Sequence, residues 1–483
     1  MDKVRVRFAP SPTGIMHLGN VRSALMNYLF AKRYNGTFVL RIEDTDFKRN
    51  VENLSDKIID DLLWLGLEYN EGPVKGGSYG PYYQSQRANF YTQYLNKLIE
   101  KNLAYRCFCT PEELEQKRQR QVAMKLPPRY DRTCLNLSQD DIDKYVETNK
   151  PFIWRFKLDY SKTVKFYDLA HKEMSFELKH FSDIPLTRQD GSFTFLFANF
   201  VDDHLMEITH VFRGEDHLSN TASQVALYEA FNVKLPIFWH LPIIGNKEGK
   251  KLSKRDFGFS LTDLQNAGYL PEAISNYLTI IGGSFKKEIL NKEELINAID
   301  FEKIEPTGMI KYDVEKLNWV NHKWISNYDT TKLIELCLPY LINKYPQVQD
   351  ITREELSKLI DTVKTELVTL EQIVNLTEFY FNEPNLDLEL IKDLDIDINF
   401  FSKLILDLKD KLNNPEQAVD FIKDTIKEQK KPLSVIFKLI RFALTGRTMG
   451  PSILELFKIL ESKKIYKRLD NLIKKLSILQ HQD

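Results

Sequence analysis

Two short polar segments of this sequence carry side chains that could bind and react with a polyphosphate. The first, His17-Leu18-Gly19-Asn20, follows a proline-rich turn and stands directly before a predicted helix. A helix N-terminus presents free backbone N–H groups and the positive end of the helix dipole, and both favour a bound phosphate. His17 could donate a hydrogen bond to a phosphate oxygen, and Gly19 leaves room for a nucleotide base. Alone, the segment is equally compatible with an ordinary turn that carries a surface histidine.

The second segment is the cationic run Lys251-Leu252-Ser253-Lys254-Arg255. A reaction that releases pyrophosphate needs positive charge where negative charge moves in the transition state. Lysine supplies that charge as a compact point charge. Alone, such a run is more typical of a solvated surface loop.

Three of the four cysteines lie close together in the sequence, at Cys107, Cys109 and Cys134. So few cysteines in a chain of 483 residues do not form a disulfide framework, and clustered thiols in a reducing compartment point to a metal. Three thiolates suit a structural Zn²⁺, which takes four tetrahedral ligands. The alternative is a set of three buried free cysteines.

A strand–turn–helix–strand unit is predicted to position the first polar segment. Residues 4–8 alternate and are rich in β-branched side chains, which is typical of a strand. The apolar periodicity of residues 18–33 predicts a helix, and the mostly apolar run 37–42 predicts a buried parallel strand. Because such units build Rossmann-type sheets, we expect an α/β fold.

Changes in composition predict five segments along the chain. The α/β character of residues 1–104 breaks at 105–184, which holds the cysteines and which we interpret as an insertion. That character resumes over 185–245, and the cationic run lies in a further segment, 246–320. Residues 321–483 have helical periodicity, with a capping box at Thr352 and Glu355.

The composition is that of a folded globular protein, with 43% hydrophobic and 28% charged residues. The net charge of −1 excludes a globally basic nucleic-acid binder, so any RNA contact must use local basic patches. There is no apolar run of about 18 residues and no apolar stretch of signal-peptide length. We therefore expect a cytoplasmic protein that makes no membrane contact.

The two polar segments resemble the HIGH and KMSKS signatures of class I aminoacyl-tRNA synthetases, in the same order. The flanking segments RFAPSPTG, LRIEDTD (40–46) and VDDHLMEITHVFRGEDHLSNT (201–221) are similar to the glutamyl/glutaminyl branch of that family. Glutaminyl enzymes end in β-barrels, whereas the helical C-terminus and the segment LIRFALTG (439–446) resemble bacterial-type glutamyl enzymes. The resemblance covers essentially the whole chain.

This resemblance implies a Rossmann-type catalytic domain with an inserted acceptor-binding subdomain, followed by an all-α anticodon-binding region. It also implies ATP-dependent ligation of L-glutamate to the 3′ end of tRNA-Glu through a glutamyl-adenylate, with Mg²⁺ bridging the phosphates, in a monomer. Two alternatives stay open. The enzyme could charge tRNA-Gln as well, or the chain could be a non-catalytic RNA-binding protein on a synthetase scaffold.

The resemblance also implies site residues, position by position. The amino-acid and adenylate pocket would be lined by Arg7, Ala9, Ser11, Glu43, Asn199 and Arg213. Two arginines suit a carboxylate substrate because the planar guanidinium binds it bidentately, and Glu43 would contact the substrate ammonium. ATP would be bound by His17, Gly19, Asn20, Lys251, Ser253 and Lys254, with His17 and Lys254 as the catalytic residues.

Three positions depart from the family pattern. Asn20 replaces the last histidine of the HIGH signature, Phe195 stands where the family usually has tyrosine, and His217 stands where some relatives carry tryptophan. Loss of the tyrosine hydroxyl puts one substrate hydrogen bond in doubt.

Zinc-containing bacterial relatives follow a C-x-C pair with Y-x-x-x-C and, in some, with a histidine two residues later. This chain keeps the tyrosine as Tyr130 but has Asn136 at the histidine position, and an amide is a poor zinc ligand. The predicted ligands are therefore Cys107, Cys109, Tyr130 and Cys134. A water or Asn136 is the alternative fourth ligand.

The same insertion is rich in basic residues that would contact tRNA phosphates in this family. They are Lys117, Arg118, Arg120, Lys125, Arg129 and Arg132. A solvated basic face is an equally good interpretation of them.

Overall fold

The computed structural model describes residues 3–45, 53–253 and 255–480. The chain divides into two compact units, the first formed by Met1–Leu264 with Ile274–Val314 and the second by Gln265–Ala273 with Glu315–Asp483. The predicted change from an α/β fold to a helical C-terminal region is confirmed by the elements of these units. The finer segment boundaries stay predictions.

The strands of the described residues are mostly short and are numbered here in chain order. They are β1 (Arg5–Phe8), β2 (Thr37–Leu40), β3 (Ala104–Cys107), β4 (Ile153–Phe156), β5 (Thr163–Asp168), β6 (Lys172–Glu177), β7 (Ile184–Pro185), β8 (His210–Gly214), β9 (Ile237–Leu241), β10 (Ile244–Gly245) and β11 (Ile310–Lys311).

The helices are numbered in the same way. They are α1 (Leu18–Arg33), α2 (Leu54–Trp64), α3 (Ala88–Glu100), α4 (Pro111–Ala123), α5 (Gln139–Glu147), α6 (Phe195–Leu205), α7 (Leu218–Phe231), α8 (Leu261–Asn266), α9 (Pro271–Ile280), α10 (Lys292–Ala298), α11 (Val314–Asn327), α12 (Thr330–Lys344), α13 (Arg353–Val363), α14 (Ile373–Leu376), α15 (Glu378–Phe381), α16 (Ile398–Leu408), α17 (Pro415–Glu428), α18 (Leu433–Thr445), α19 (Ile453–Ile459) and α20 (Ser462–Gln480).

A six-stranded sheet in the first unit has the order β2–β1–β8–β9–β5–β6. Strand β1 pairs in parallel with β2, from Arg5 opposite Thr37 to Phe8 opposite Leu40, and α1 connects the two. The predicted strand–helix–strand unit is therefore confirmed, although β2 ends at Leu40, two residues before the predicted end. Strand β1 also pairs in parallel with β8, so their carboxyl ends meet at one edge of the sheet. Open α/β sheets bind ligands at such an edge.

Burial of apolar side chains holds α1 on this sheet. Strands β1 and β2 are buried along their whole length, as expected of parallel strands covered on both faces. Val21 and Leu25 of α1 are 0% and 1% exposed. Full burial of such a side chain contributes about 1.5–3 kcal/mol, so this packing fixes where the N-terminus of α1 lies.

The hairpin of β5 and β6 extends the main sheet. The two strands pair in antiparallel fashion from Thr163 opposite Glu177 to Asp168 opposite Lys172, and Asp168 also lies opposite Phe238 of β9. The main sheet thus includes strands from the stretch that the sequence predicts to be an insertion.

The remaining strands of that stretch form a separate antiparallel sheet of order β3–β4–β7. Cys107, the last residue of β3, lies opposite Ile153 of β4. Helix α4 follows with a capping box between Thr110 and Glu113, which typically stabilises a helix by about 1 kcal/mol. A strand end and a helix start therefore flank the two cysteines of the C-x-C pair.

The second unit is built from helices around a core of leucine and isoleucine side chains. Arg468 of α20 is 2% exposed and donates to the carbonyl oxygens of Phe379 at 2.8 Å, Leu444 at 2.7 Å and Asn382 at 2.7 Å. Helix ends leave such carbonyl groups without intrahelical partners, so one buried guanidinium satisfies the ends of α15 and α18. None of the described helices is both long enough and apolar enough to cross a lipid bilayer.

Candidate active site

A cavity of about 770 Å³ opens in the first unit at the carboxyl ends of β1 and β8, beside the N-terminus of α1. Every described residue that the sequence predicts for glutamate or ATP lies on its wall. These residues are Arg7, Ala9, Ser11, His17, Gly19, Asn20, Glu43, Asn199, Arg213, Lys251 and Ser253. Lys254 and its predicted catalytic role lie outside the described residues. The structure thus brings the predicted residues together, while their individual roles stay predictions.

Four of these residues form what we call the buried end of the cavity: Arg7, Glu43, Asn199 and Arg213. Their exposed fractions are 3%, 5%, 1% and 7%. Each comes from a different element or its carboxyl end, namely β1, the residues after β2, α6 and β8. The parallel sheet order therefore places charges from distant parts of the chain around one small volume.

Acidic side chains neutralise some of the arginines at the buried end. Asp203 accepts from Arg7 Nε at 3.1 Å and from Arg41 Nη1 at 2.7 Å, so one carboxylate serves two guanidinium groups. Arg41, which is fully buried, also donates to Glu43 at 3.2 Å. A buried guanidinium is tolerated when a carboxylate balances its charge, and this network provides one for both Arg7 and Arg41.

Arg213 is the exception. Its Nη2 donates to Thr221 Oγ1 at 2.5 Å, but its Nε and Nη1 are buried without a hydrogen-bond partner. Across the part of the chain that the structure describes, no carboxylate lies within ion-pair distance of it. Burial, aided by the nearby Arg7, lowers the pKa of Arg213 to about 10. A buried guanidinium without a counter-charge is costly, so a site of this kind favours an anionic ligand.

Glu43 is the acidic member of the buried end. The Asn199 side-chain amide and Arg41 both donate to its Oε1. Burial raises the pKa of Glu43 to about 7, against the opposing effect of Arg41 and Arg7. A carboxyl group of this pKa ionises readily when a cation such as an ammonium arrives beside it.

The other end of the cavity, which we call the open end, is formed by His17, Asn20, Lys251 and Ser253. His17 is the N-cap of α1, and its Nδ1 accepts a hydrogen bond from the backbone N–H of Asn20 at 3.2 Å. Burial and the nearby Lys251 ammonium lower the pKa of His17. The neutral ring therefore carries its proton on Nε2, which is left as a donor for a phosphate oxygen.

Gly19 has a function in the structure that the sequence alone does not predict. A Cβ at Gly19 would lie 3.0 Å from both Cε1 and Nδ1 of His17, which is tighter than most Cβ contacts in proteins, so the ring would have to shift. The opposite side of the ring is limited by Phe259, at 5.5 Å between ring centroids. The glycine therefore allows His17 to fold back over the helix start, in addition to leaving space for a base.

The cationic loop is tied down by carboxylates. Lys251 Nζ lies 3.1 Å from Asp216 Oδ2, and both side chains are about half exposed. Ser253 donates through its backbone N–H and its hydroxyl to Asp256 Oδ2, both at 2.8 Å. An exposed ion pair of this kind is worth at most about 1 kcal/mol, so an incoming phosphate can displace Asp216 from Lys251.

Two of the family departures lie together on the cavity wall. The rings of Phe195 and His217 are 5.4 Å apart between centroids. Burial and the nearby Arg213 lower the pKa of His217 to about 4, so this ring is neutral at pH 7. Both rings are uncharged, so neither supplies a counter-charge to the nearby guanidinium of Arg213.

Sequence reasoning missed several residues that position this site: Arg41, Asp203, Asp216 and Thr221. All four stand inside the segments that carry the family resemblance, so a signal was present. Their roles depend on partners far away in the chain, as in the contact between Arg7 and Asp203, and local patterns do not reveal such partners.

The three clustered cysteines form a second site. The sulfurs of Cys107, Cys109 and Cys134 all lie within 4.8 Å of one another, with Cys109 and Cys134 3.5 Å apart. Zn–S bonds of about 2.3 Å place tetrahedral thiolates roughly 3.8 Å apart, so this donor set fits Zn²⁺. Hydrogen bonding with Cys134 lowers the pKa of Cys107, whereas the same contact and burial raise the pKa of Cys134, so the two sulfurs share one proton when no cation is bound.

The fourth ligand position is close to Tyr130. Its hydroxyl oxygen lies 3.3 Å from Cys107 Sγ and accepts from the backbone N–H of Cys134 at 3.0 Å. Burial raises the pKa of Tyr130, so the phenol stays protonated unless a cation is bound. Asn136 is exposed at the end of a short 3-10 turn. Between Tyr130 and Asn136, Tyr130 is the side chain in contact with the cysteine cluster.

Comparison with known proteins agrees with the resemblance to class I synthetases that the fold and the site support. Residues 3–319 match the family of class I tRNA synthetases (E and Q), catalytic domain, and residues 332–473 match the anticodon binding domain family. The chain belongs to the class I tRNA synthetase family for E and Q.

Within this family, the chain is similar to proteins that are glutamate–tRNA ligases. The chain is 38% identical to the glutamate–tRNA ligase of Bacillus licheniformis, over 98% of this chain and 99% of that protein. It is also 38% identical to the glutamate–tRNA ligase of Carboxydothermus hydrogenoformans, over 97% of this chain and 99% of that one. Among solved structures, the glutamate tRNA ligase of Elizabethkingia meningosepticum in complex with its amino acid is similar, with a TM-score of 0.86 at 32% identity, covering 98% of this chain and 99% of that one.

Proposed function

We propose that this chain is a glutamate–tRNA ligase, which forms glutamyl-adenylate from ATP and transfers the glutamyl group to the 3′ end of tRNA-Glu. The observation that carries the proposal is the unpaired guanidinium of Arg213 at the buried end of the cavity. Asp203 serves Arg7 and Arg41, whereas Nε and Nη1 of Arg213 have no partner. A substrate side-chain carboxylate supplies the missing counter-charge, and the neutral amide of glutamine does not.

In the first step, an oxygen of the glutamate α-carboxylate attacks the α-phosphate of ATP. A P–O bond to the carboxylate forms, the P–O bond to the β-phosphate breaks, and pyrophosphate leaves. Glu43 holds the substrate ammonium and thereby aims the α-carboxylate at the phosphate. His17, through Nε2–H, and the ammonium groups of Lys251 and Lys254 stabilise the charge that moves to pyrophosphate. Mg²⁺ bound with ATP would neutralise part of the phosphate charge.

In the second step, a hydroxyl of the terminal ribose of the tRNA attacks the carbonyl carbon of the adenylate. An ester bond forms, the bond from the carbonyl carbon to the phosphate oxygen breaks, and AMP leaves. Class I enzymes usually use the 2′-OH. The helical second unit would bind the anticodon, and a cytoplasmic monomer is part of the same proposal.

Internal pairing narrows the set of basic residues that could contact the acceptor end of the tRNA. Lys117 pairs with Asp131, Arg118 with Glu115, and Arg132 with Asp183, while Arg129 donates to a backbone carbonyl. Of the six predicted basic residues, Arg120 and Lys125 have neither an ion-pair partner nor a side-chain hydrogen bond among the residues that the structure describes. These two can contact phosphates directly, and Arg118 can also do so, because a phosphate can displace Glu115 from their exposed ion pair.

Aminoacylation with radiolabelled glutamate and, separately, glutamine tests the proposal, using purified tRNA-Glu and tRNA-Gln. We expect glutamate to be attached to tRNA-Glu. Charging of tRNA-Gln with glutamate as well would identify a non-discriminating enzyme. Glutamine charging, or no charging of either tRNA, would overturn the substrate assignment. Binding of tRNA without charging would instead support a non-catalytic RNA-binding protein.

We also infer that the cysteine cluster binds structural Zn²⁺, supported by the spacing of its three sulfurs. Metal analysis of the purified chain should give about one zinc per chain. Cys134→Ala should abolish zinc binding, whereas Cys337→Ala, which removes a buried cysteine of the second unit, should leave it intact. Tyr130→Phe separates the alternatives for the fourth ligand, because zinc content is retained if water completes the site. Full zinc content in Cys134→Ala would disprove the site.

A further inference from the structure

A continuous line of hydrogen bonds leads away from Arg213 into the protein interior. Arg213 Nη2 contacts Thr221 Oγ1 at 2.5 Å, Thr221 Oγ1 lies 2.7 Å from His240 Nε2, and His240 Nδ1 lies 2.8 Å from Asp168 Oδ2. Thr221, His240 and Asp168 are 0%, 1% and 0% exposed. The four residues come from β8, α7, β9 and β5, so the line crosses from the cavity to the hairpin at the far side of the sheet.

The carboxylate of Asp168 is the fixed end of this line. Its Oδ1 accepts from the backbone N–H groups of Ala170 and His171, both at 2.9 Å. Its Oδ2 accepts from the backbone N–H of His240 at 2.9 Å and faces the His240 ring nitrogen. All of its partners are N–H groups, so only a carboxylate satisfies both sides, because an amide would place its NH₂ against one pair of donors. Although burial opposes ionisation, these hydrogen bonds hold the pKa of Asp168 below its usual value.

Asp168 determines the tautomer of His240. Because a carboxylate only accepts, Nδ1 of His240 must carry the proton. Burial lowers the pKa of His240, against the effect of Asp168, so the ring is neutral and Nε2 is an acceptor. The Thr221 hydroxyl then donates to Nε2 at 2.7 Å rather than to the carbonyl oxygen of His217 at 3.2 Å. With its proton used there, the Thr221 oxygen presents its lone pairs to Arg213.

We propose that Asp168 and His240 are positioning residues that, through Thr221, hold Nη2 of Arg213 in place and so orient the guanidinium for the side-chain carboxylate of the substrate. The inference rests on the proposed function, because it gives Arg213 that carboxylate as its ligand. It adds three residues that determine affinity for the amino acid without touching it. Hydrogen bonds to charged groups are among the stronger ones in proteins, so breaking the line should weaken glutamate binding about tenfold or more.

Thr221 offers the sharpest test, because its hydroxyl can be removed almost without change of shape. We expect Thr221→Val to raise KM for glutamate about tenfold in aminoacylation while KM for ATP stays unchanged. Thr221→Ser keeps the hydroxyl and should restore most of the affinity. Thr279→Val is the matched control, since Thr279 is a buried helical threonine like Thr221, but its hydroxyl donates only to the carbonyl oxygen of Ser275 in its own helix. That variant should keep the wild-type KM for glutamate.

His240→Asn tests the inner half of the line. Its amide can still donate to Asp168 but does not reach Thr221 as an acceptor, so KM for glutamate should rise as in Thr221→Val. The double variant should be no worse than either single variant, because the same connection is already broken. Thermal melting of every variant shows whether it is folded, and the two Thr221 variants keep the test decisive if His240→Asn unfolds.

Three outcomes would overturn the proposal. They are an unchanged KM for glutamate in Thr221→Val, equal increases in KM for glutamate and for ATP, and additive effects in the double variant. The proposed function is tested by a different result. It is wrong if the wild-type chain does not attach glutamate to tRNA. If the wild type charges glutamate and Thr221→Val has the same KM, only the positioning role is wrong.

Discussion

The two ends of the cavity hold charge in opposite ways. At the buried end, guanidinium groups from distant strands are desolvated and fixed by Asp203 and Thr221. At the open end, Lys251 and Ser253 are exposed, and their carboxylate partners, Asp216 and Asp256, lie close by in exposed loop pairs. A desolvated charged group interacts strongly with its partners and binds only ligands of opposite charge. An exposed charged group interacts weakly, so an incoming ligand can displace its partner.

This difference suggests a division of tasks between the two ends. The buried end can discriminate between substrates, because a neutral isostere leaves a charged donor unpaired in a low-dielectric environment. The open end can accept charge that moves during the reaction, since its ammonium groups are free to follow the phosphates. Variants of the buried end should therefore change affinity and stability, and variants of the open end should change rate.

The largest effect is expected for Arg213→Leu. It removes the unpaired guanidinium, so kcat/KM for glutamate should fall at least about 10²-fold while KM for ATP stays similar. Because an uncompensated buried charge is lost, the melting temperature should stay the same or rise. Aminoacylation kinetics and thermal melting measure both quantities.

Arg5→Leu is the matched control for that variant. Arg5 is also a buried arginine of the main sheet, but it is paired with Glu71 at 2.8 Å and lies outside the cavity. This variant should lose stability and keep its KM for glutamate. A fall in glutamate kcat/KM of less than about tenfold in Arg213→Leu would contradict the division between the two ends.

The next largest effect is expected for Lys254→Ala, in the cationic run 251–255 of the sequence. Removing one ammonium from the path of the departing charge should slow glutamate activation by at least about 10²-fold, with tRNA binding largely intact. Lys250→Ala removes a neighbouring exposed lysine and serves as the control. Activation can be followed by pyrophosphate exchange in the presence of tRNA. A near-normal rate in Lys254→Ala would refute its assigned role.

The open end was predictable from sequence because its geometry is local. A strand, a turn and a helix start place His17 where its neighbours in the chain decide its contacts, as in the hydrogen bond from the Asn20 N–H. The capping boxes at Thr110 and Thr352 were predictable for the same reason and are present. In both cases the partner lies within a few residues of the group it contacts.

The buried end was predictable only in part. Family resemblance selected Arg7 and Arg213, but it did not predict that Asp203 pairs with the first and leaves the second without a carboxylate. Nor could it predict that Asp168 reaches the site, because the sequence indicates an insertion where β5 joins the main sheet through Phe238. Such pairings depend on strand order, and the local periodicity of the sequence does not predict strand order.

A smaller effect is expected for Glu43→Gln. It is a change in the free energy of unfolding, and its size depends on pH. Since the pKa of Glu43 is raised to about 7 in the folded chain, the folded state binds more protons than the unfolded state between about pH 4.5 and 7. The free energy of unfolding therefore falls as the pH rises through this range. The variant resembles the protonated form, so its stability advantage over the wild type should grow to about 3 kcal/mol at pH 8 and vanish near pH 4.5.

Denaturant unfolding of both chains at several pH values measures this difference. Glu71→Gln is a useful contrast, because the hydrogen bond from Arg5 holds the pKa of Glu71 below its usual value. Loss of that carboxylate should cost stability at neutral pH and cost less as the pH falls below its ordinary pKa. A stability difference between wild type and Glu43→Gln that is the same at every pH would show that Glu43 is already ionised at the buried end.

The smallest effects are expected at the exposed pair of the open end. Lys251 lowers the pKa of His17 and Asp216 raises it, so Lys251→Met should raise that pKa and Asp216→Asn should lower it. Both changes should shrink at high ionic strength, because exposed charges are screened by salt. NMR titration of the His17 ring, assigned by its loss in His17→Gln, measures them. The same Lys251 variant should leave KM for glutamate unchanged, since the buried end does not depend on it. If instead the changes in His17 pKa persisted at high salt, the open end would be as desolvated as the buried end, and affinity and rate would no longer be separable between the two.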